Sequence, residues 1–446
     1  MTGPHGTKSA GGAAGTEGAA APPPTRMAGH LRLPGAVALA ITIVVGSGAL
    51  VSPGIAYHQT GQAALYAWLV AAAVTVPLLI VFARLGADLP GAGGVAGFVQ
   101  AGFGRSWAAG VEVMLLGTFG LGIPAIALTG GFYLQQIPGL HAVPAWAAAI
   151  GLLALAGLSV AIGGSVSSRI QIVLALFMTA GLLAAAVLGL SGGDPVEHLP
   201  PARPEELALG VAALGAVFFA FTGWEMLSFT TEEYADPRRD FPRVVVISFL
   251  VVTTLYVLLA WAVQTRLAED DPKAASSPIH AVVSAAAPGL AWVVSVLGVV
   301  IIAANLVGAV WAASRLVMSS AREGLLPRPM ARLSRSAGTP PRNAVMACVA
   351  VFGLMALATA SDLLSLSDLL TVAGQNFFLL YLFSAVVYAR LKTGAPRAFG
   401  IAIAVLLGLL ALTFGPLQLG YALALLVLGR VLSRRSGKRR EAAPGS

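Results

Sequence analysis

The sequence predicts an all-α integral membrane protein of 12 transmembrane helices, built as two five-helix repeats of opposite topology with helices 1 and 6 broken. Three observations carry this: long apolar stretches, a one-sided distribution of basic residues, and two interruptions five spans apart. The 446 residues are 57% hydrophobic and only 10% charged, with a mean hydropathy of +0.84. An ordinary soluble domain is about 25% charged. The net charge of +8 does not point to nucleic acid, because the charges sit in loops between apolar spans.

A hydrocarbon core about 30 Å thick needs about 20 residues per helical span. On that ruler spans fall at 33–60, 62–83, 107–136, 143–163, 168–190 and 207–232. Six more fall at 244–265, 289–318, 343–361, 364–389, 398–413 and 416–432. Residues 1–28 are Gly, Ala and Pro with little to bury and read as a disordered tail. Residues 433–446 read as a basic tail. The first span is followed by eleven others and reads as a retained helix rather than a cleaved leader. Spans 1–5 (33–190) and 6–10 (207–389) form the two repeats, and 398–432 is an addition outside them.

Twelve spans put both termini on one side. That side holds 24 of the 27 Lys and Arg residues, and the other holds only Arg203, Arg266 and Lys273. Positive charge marks the cytoplasmic face, so both termini are expected in the cytoplasm and the chain in the cytoplasmic (inner) membrane. The single cysteine, Cys348, lies in an apolar span and offers neither a disulfide nor a thiolate metal site. No cluster has metal-ligand spacing, and Gly91-Ala92-Gly93-Gly94 follows no strand, so no cofactor is expected.

The breaks point to function. Span 1 contains Val45-Gly46-Ser47-Gly48-Ala49 followed by Pro53-Gly54, and span 6 contains Phe218-Phe219-Ala220-Phe221-Thr222-Gly223-Trp224-Glu225. Non-helical backbone survives in a bilayer only where it lines a cavity or is buried in protein. Paired breaks in two inverted halves mark the midplane site of a transporter. At Gly46, Ser47 and Gly48 an unwound turn presents N–H groups and the positive end of the next half-helix, which suit a carboxylate. The alternative is a packing face of small residues. At Phe219, Ala220, Thr222 and Gly223 the break frees carbonyls that suit an ammonium. Together the two breaks match an α-amino acid. Phe218, Phe219, Phe221 and Trp224 would suit an apolar substrate, or would face lipid and neighbouring helices.

Glu225 follows the second break. An ionisable group there is a functional candidate, either as a proton carrier or as a fixed acceptor that steadies the break. Glu112 in span 3 lies near the cytoplasmic edge and is expected to snorkel. His58 reads as a structural histidine. Asn305, Gln375 and Asn376 read as interhelical hydrogen-bonding groups, with span 8 also able to face the pocket.

These motifs resemble the amino acid–polyamine–organocation (APC) superfamily. The resemblance runs from about Leu33 to Arg397. Its carriers include VGSGALVSPG, Leu89-Pro90-Gly91-Ala92-Gly93-Gly94, FFAFTGWE, the stretch from Glu232 to Arg243, and Ser314-Arg315 with Ala321 to Pro327. Within the superfamily, GGVAGFVQAGFG and DPRRDFPR are most similar to bacterial exporters of methionine and branched-chain amino acids. The resemblance implies a leucine-transporter-type fold, an amino-acid permease and no enzyme. It places Ser47 and Gly48 at the substrate carboxylate and the carbonyls of Phe219, Ala220 and Thr222 at its amino group. It gives Glu225 a gating or proton-response role and Glu233 an intracellular gate. Span 5 lacks the intramembrane lysine of some proton-coupled relatives, and Ala303-Ala304-Asn305 in span 8 offers no Ser/Thr pair for sodium. Protons are thus a candidate coupling partner, and the coupling ion stays open.

The expected partners are an amino-acid substrate and the lipid bilayer, with no nucleic acid. The expected activity is export of apolar amino acids by alternating access. Its rivals are a proton-coupled importer or exchanger of amino acids or cationic amines, and a membrane-embedded enzyme. The enzyme would have to use Asp362 and Asp368, which lie away from both breaks. A sensor is disfavoured by the small, featureless 28-residue tail.

Overall fold

A chain in hydrocarbon must satisfy its backbone polar groups within each segment, which leaves the helix as the only open-chain solution. The computed structural model describes residues 33–89, 94–162, 168–191, 199–201, 203–224, 237–331, 342–361 and 363–441. Among them every regular element is a helix. The tail 1–28, Pro90 to Gly93, Glu225, Glu233 and Asp362 lie outside the described residues.

The first span is two helices, α1 (Leu33–Val44) and α2 (Ser47–Thr60), parted at Val45 and Gly46. Then come α3 (Ala64–Asp88), α4 (Val95–Phe103), α5 (Arg105–Gln135), α6 (Ala145–Ile162) and α7 (Ser168–Leu190). The second half opens with α8 (Pro204–Ala212) and α9 (Leu214–Ala220), followed by α10 (Pro237–Arg266), α11 (Pro278–Ala286) and α12 (Ala291–Glu323). It closes with α13 (Arg342–Ala358), α14 (Leu366–Leu391), α15 (Gly394–Ala411) and α16 (Pro416–Glu441).

Local chemistry fixes several ends. Pro204 at the start of α8, with Glu205 and Glu206 in its first turn, suits both the missing donor and the helix dipole. Ser365 and Asp368 close a capping box on α14. Gly324 ends α12 in the left-handed conformation, φ 83°, where a side chain would be strained.

Among the described residues ten helices are long and apolar enough to cross a membrane. The difference from the expected 12 comes from the broken spans. In span 1 the first half is a short separate helix and the second half runs on with α3. In span 6 the described part is the short pair α8 and α9.

Burial ranks the helices by position. Every residue of α9 is buried, and so is α2 from Ser47 through Tyr57. The apolar windows of α5 and α14 are 67% buried, those of α15 and α16 only 22% and 17%. The broken halves therefore sit at the centre, α5 and α14 flank them, and α15 and α16 present Leu409 and Leu417 outward at the periphery.

Two short helices, α4 and α11, have no counterpart in the spans read from the sequence. The α11 region caps α2: a Cβ added to Gly54 would overlap the Ala274 carbonyl oxygen and meet Pro278. The C-terminal basic stretch is helical as far as Glu441.

Candidate functional site: two helix breaks in contact

At the first break, Val45 N–H still donates to the Ile41 carbonyl at 2.8 Å, which ends α1. Gly46 then turns out of the helix at φ −141°, ψ −138°. Helical bonding resumes with Ala49 N–H donating to the Gly46 carbonyl at 3.2 Å. The N–H groups of Ser47 and Gly48 precede that bond, at the positive end of α2. Ser47 Oγ is buried and has no hydrogen-bond partner among the described residues. From α12, Asn305 Nδ2 donates to the Ile43 carbonyl at 3.4 Å. The same nitrogen lies 2.9 Å from where a Gly46 Cβ would be, so Asn305 faces the break.

At the second break the end of α9 tightens. Phe221 N–H donates to the Phe218 carbonyl at 2.9 Å and Thr222 N–H to that of Phe219 at 3.2 Å. Thr222 Oγ1 also donates to the Phe219 carbonyl, at 2.8 Å. Gly223 has φ +102°, a conformation that L side chains rarely adopt.

The two breaks touch. A Cβ on Gly48 would overlap the Cα and Cβ of Ala220, and a Cβ on Gly223 would reach 3.4 Å from Ile43 Cγ2. Ser52 Oγ donates to the Ala216 carbonyl at 3.0 Å, tying α2 to α9. The Tyr256 hydroxyl on α10 lies 2.9 Å from the Val44 carbonyl and 3.1 Å from that of Ala220. These are the last residues of α1 and α9, so one phenol spans both broken ends. Outward of this, Tyr133 Oη donates to the Leu50 carbonyl at 2.8 Å and accepts from Ile279 N–H at 3.3 Å.

The structure thus brings Gly46, Ser47 and Gly48 together with Ala220 and Gly223, as the paired breaks imply. The carbonyls differ in what they have left to offer. That of Phe219 accepts twice from Thr222, which uses both lone pairs. That of Ala220 has Tyr256 as its one donor among the described residues.

The aromatic residues divide. Phe218 and Phe221 are 0% exposed. Phe218 meets Phe378 edge-on at 4.8 Å, and Phe221 meets Tyr256 at 5.5 Å. They pack the bundle rather than line a pocket. Trp224 rests on Phe249 at 5.9 Å. Phe219 instead points at α5, with its Cε2 3.0 Å from the Cβ position of Gly122 and its ring 6.2 Å from Phe377. Phe218→Ala is expected to cost about 3–5 kcal/mol of stability, seen as a lower melting temperature with substrate affinity retained. Phe219→Ala is expected to change substrate preference more than melting temperature.

Two expectations change and the one for His58 holds. Glu112 does not snorkel. It is 7% exposed and accepts a hydrogen bond from Ser320 Oγ on α12, because Gly110 and Gly117 let α16 close over that face of α5. Gln375 and Asn376 do not bond across helices: Gln375 Oε1 and both Asn376 side-chain polar atoms lack partners among the described residues. His58 is satisfied, its Nδ1 2.8 Å from the Glu269 carbonyl oxygen. Glu225 and Glu233 lie outside the described residues.

Tyr256, Ser52 and Tyr133 were not among the residues the sequence singled out. A buried tyrosine needs a partner for its hydroxyl, which is the available signal, but sequence does not say which carbonyl it meets.

Comparison with known proteins agrees with this geometry. The amino acid permease family profile matches residues 31–432. The L-methionine/branched-chain amino acid exporter YjeH of Escherichia coli (strain K12) is 30% identical over 407 residues, covering 89% of this chain and 94% of that protein. The uncharacterized amino acid permease YecA of Bacillus subtilis (strain 168) is 28% identical over 364 residues, covering 81% and 85%. The crystal structure of MhsT in complex with L-phenylalanine superposes with a TM-score of 0.61 at 16% identity, covering 91% of this chain and 99% of that one. That likeness gives the fold, the leucine-transporter type with its broken helices. The relatives are permeases and transporters, not enzymes. With broken helices 1 and 6 joined at their breaks, and a profile match running through nearly all its spans, this multi-pass membrane chain belongs to the amino acid permease family.

Proposed function

We propose that the protein exports apolar amino acids, methionine and branched-chain in character, across the cytoplasmic membrane by alternating access. Both termini face the cytoplasm in this reading, as the placement of 24 of 27 basic residues supports. The observation that carries the site is Ser47 Oγ, a buried hydroxyl at the opening of α2 without a partner among the described residues. A substrate carboxylate would take that hydroxyl and the N–H groups of Ser47 and Gly48, with Gly46 giving room. The ammonium would meet the freed carbonyls around Ala220, Thr222 and Gly223. The side chain would lie toward Phe219, with Gly122 and Ala373 beside it, a surface that suits an apolar group. The exporter YjeH, similar over most of its length, supports both substrate class and direction. Glu225 is assigned gating or proton response, and Glu233 the inner gate. Residues 33–190 and 207–389 are the two repeats.

Ser47→Ala tests the site. Removing an unsatisfied buried hydroxyl leaves stability unchanged or raised. The half-saturating concentration of methionine or leucine should rise about tenfold, which corresponds to about 1.4 kcal/mol. The measurement is counterflow of radiolabelled methionine, leucine and arginine in proteoliposomes, with thermal unfolding alongside. Unchanged affinity in the variant overturns the carboxylate site. Exchange of arginine alone overturns the substrate class.

A further inference from the structure

Among the described residues, Glu112 is the only Asp, Glu, Lys or Arg side chain that is buried. It stands on α5 seven residues past Arg105, about 10 Å along the helix from the cytoplasmic end. Its polar partner is Ser320 Oγ on α12. Of the charges around it, Arg105 and Glu323 pair with each other at 3.9 Å, and Arg430 of α16, packed against Gly110, stacks on Trp107 at 3.9 Å. Ala109, Val113, Leu325 and Leu432 form an apolar cluster beside it. A carboxylate so enclosed, without a cation at contact distance, is costly to keep charged.

We propose that Glu112 is a proton-binding site through which cytoplasmic pH governs transport. This rests on the transport function and orientation proposed above. A proton from cytoplasmic water is taken up on the carboxylate and returned to the same water. The neutral acid fits the sealed seam between α5 and α12. The carboxylate draws water into it and parts the two helices at their inner ends. Both helices reach the breaks, α5 through Gly122 against Phe219 and α12 through Asn305 against Gly46. A change at the seam therefore acts on the site from two sides.

The test is methionine or leucine counterflow in oriented proteoliposomes, with pH varied on the cytoplasmic face alone. Wild type should show a step in exchange rate with pH. Glu112→Gln, an isostere of the neutral acid, should fold, exchange, and hold the low-pH rate at every pH. Ser320→Ala should move the midpoint of the step. Infrared difference spectra between high and low pH should contain a carboxylic-acid C=O band that Glu112→Gln removes. A pH step that survives in Glu112→Gln, a wild type without a step, or a band unaffected by the substitution overturns the inference. Loss of exchange at every pH in the wild type instead overturns the transport reading.

Discussion

Replacing Gly48 with alanine should leave a folded, inserted protein that exchanges amino acids at no more than about a tenth of the wild-type rate, and leucine should abolish exchange. A Cβ at Gly48 overlaps the Cα and Cβ of Ala220. Those atoms belong to backbone and to the shortest side chain, so nothing flexible can swing away. The helix cannot retreat as a body either. Ser52 holds α2 to the Ala216 carbonyl, Tyr133 holds the Leu50 carbonyl, and Gly54 lies against Ala274. The strain of overpacking, about 1–3 kcal/mol for small additions, falls on the turn at Gly46 to Gly48. Adding Ala220→Gly should not rescue, because the Cα overlap remains. Gly120→Ala on α5 is the control, since a Cβ there meets nothing within 4 Å. The readouts are counterflow and thermal unfolding. A Gly48→Ala variant that exchanges at more than half the wild-type rate would show that close contact of the breaks is not required.

The breaks were legible because their cause is local. Glycines beside Ser47, followed by Pro53, interrupt an apolar run and need no partner to be recognised. The span expected at 33–60 is occupied by α1 and α2, which part at Val45 and Gly46, inside the segment read as the break. What faces the breaks was not legible, since Gly48 meets Ala220 and Tyr256 meets Val44 only through the tertiary fold. Glu112 shows the limit of depth arguments. Distance along the chain from Arg105 says the side chain can reach water, but small residues at Gly110 and Gly429 bring α16 close enough to close the route. The short helices α4 and α11 escaped because 9 residues each fall below the length a span requires. Glu225 was read from the sequence as a membrane carboxylate next to a break, and it lies outside the described residues. Its two readings, proton carrier and fixed acceptor, differ only in what surrounds it.

Tyr256→Phe should insert and fold but exchange about tenfold more slowly than wild type, with little change in half-saturating substrate concentration. The substitution removes one oxygen and keeps the ring, so the edge-on contacts with Trp68 at 5.4 Å and Phe221 at 5.5 Å persist. What goes is, among the described residues, the only side-chain donor to the Val44 and Ala220 carbonyls, at 2.9 and 3.1 Å. Both are terminal carbonyls of half-helices, where the following residues no longer supply helical N–H groups. In a bilayer interior water does not freely replace the lost donor. One hydroxyl has one hydrogen to share, so the cost is that of one buried acceptor, about 1–3 kcal/mol. This conformation, in which α1 and α9 end beside each other, bears that cost. A conformation in which the two ends separate does not depend on the shared bond. The substitution therefore biases the cycle away from the state seen here, and about 1.4 kcal/mol of bias is a factor of ten in its population. A tyrosine that merely filled space would predict otherwise: Tyr256→Phe would exchange at the wild-type rate, and only a packing loss such as Tyr256→Ala would matter. Counterflow rates for the two variants, measured beside their melting temperatures, decide between a hydroxyl that couples the breaks and a ring that only packs.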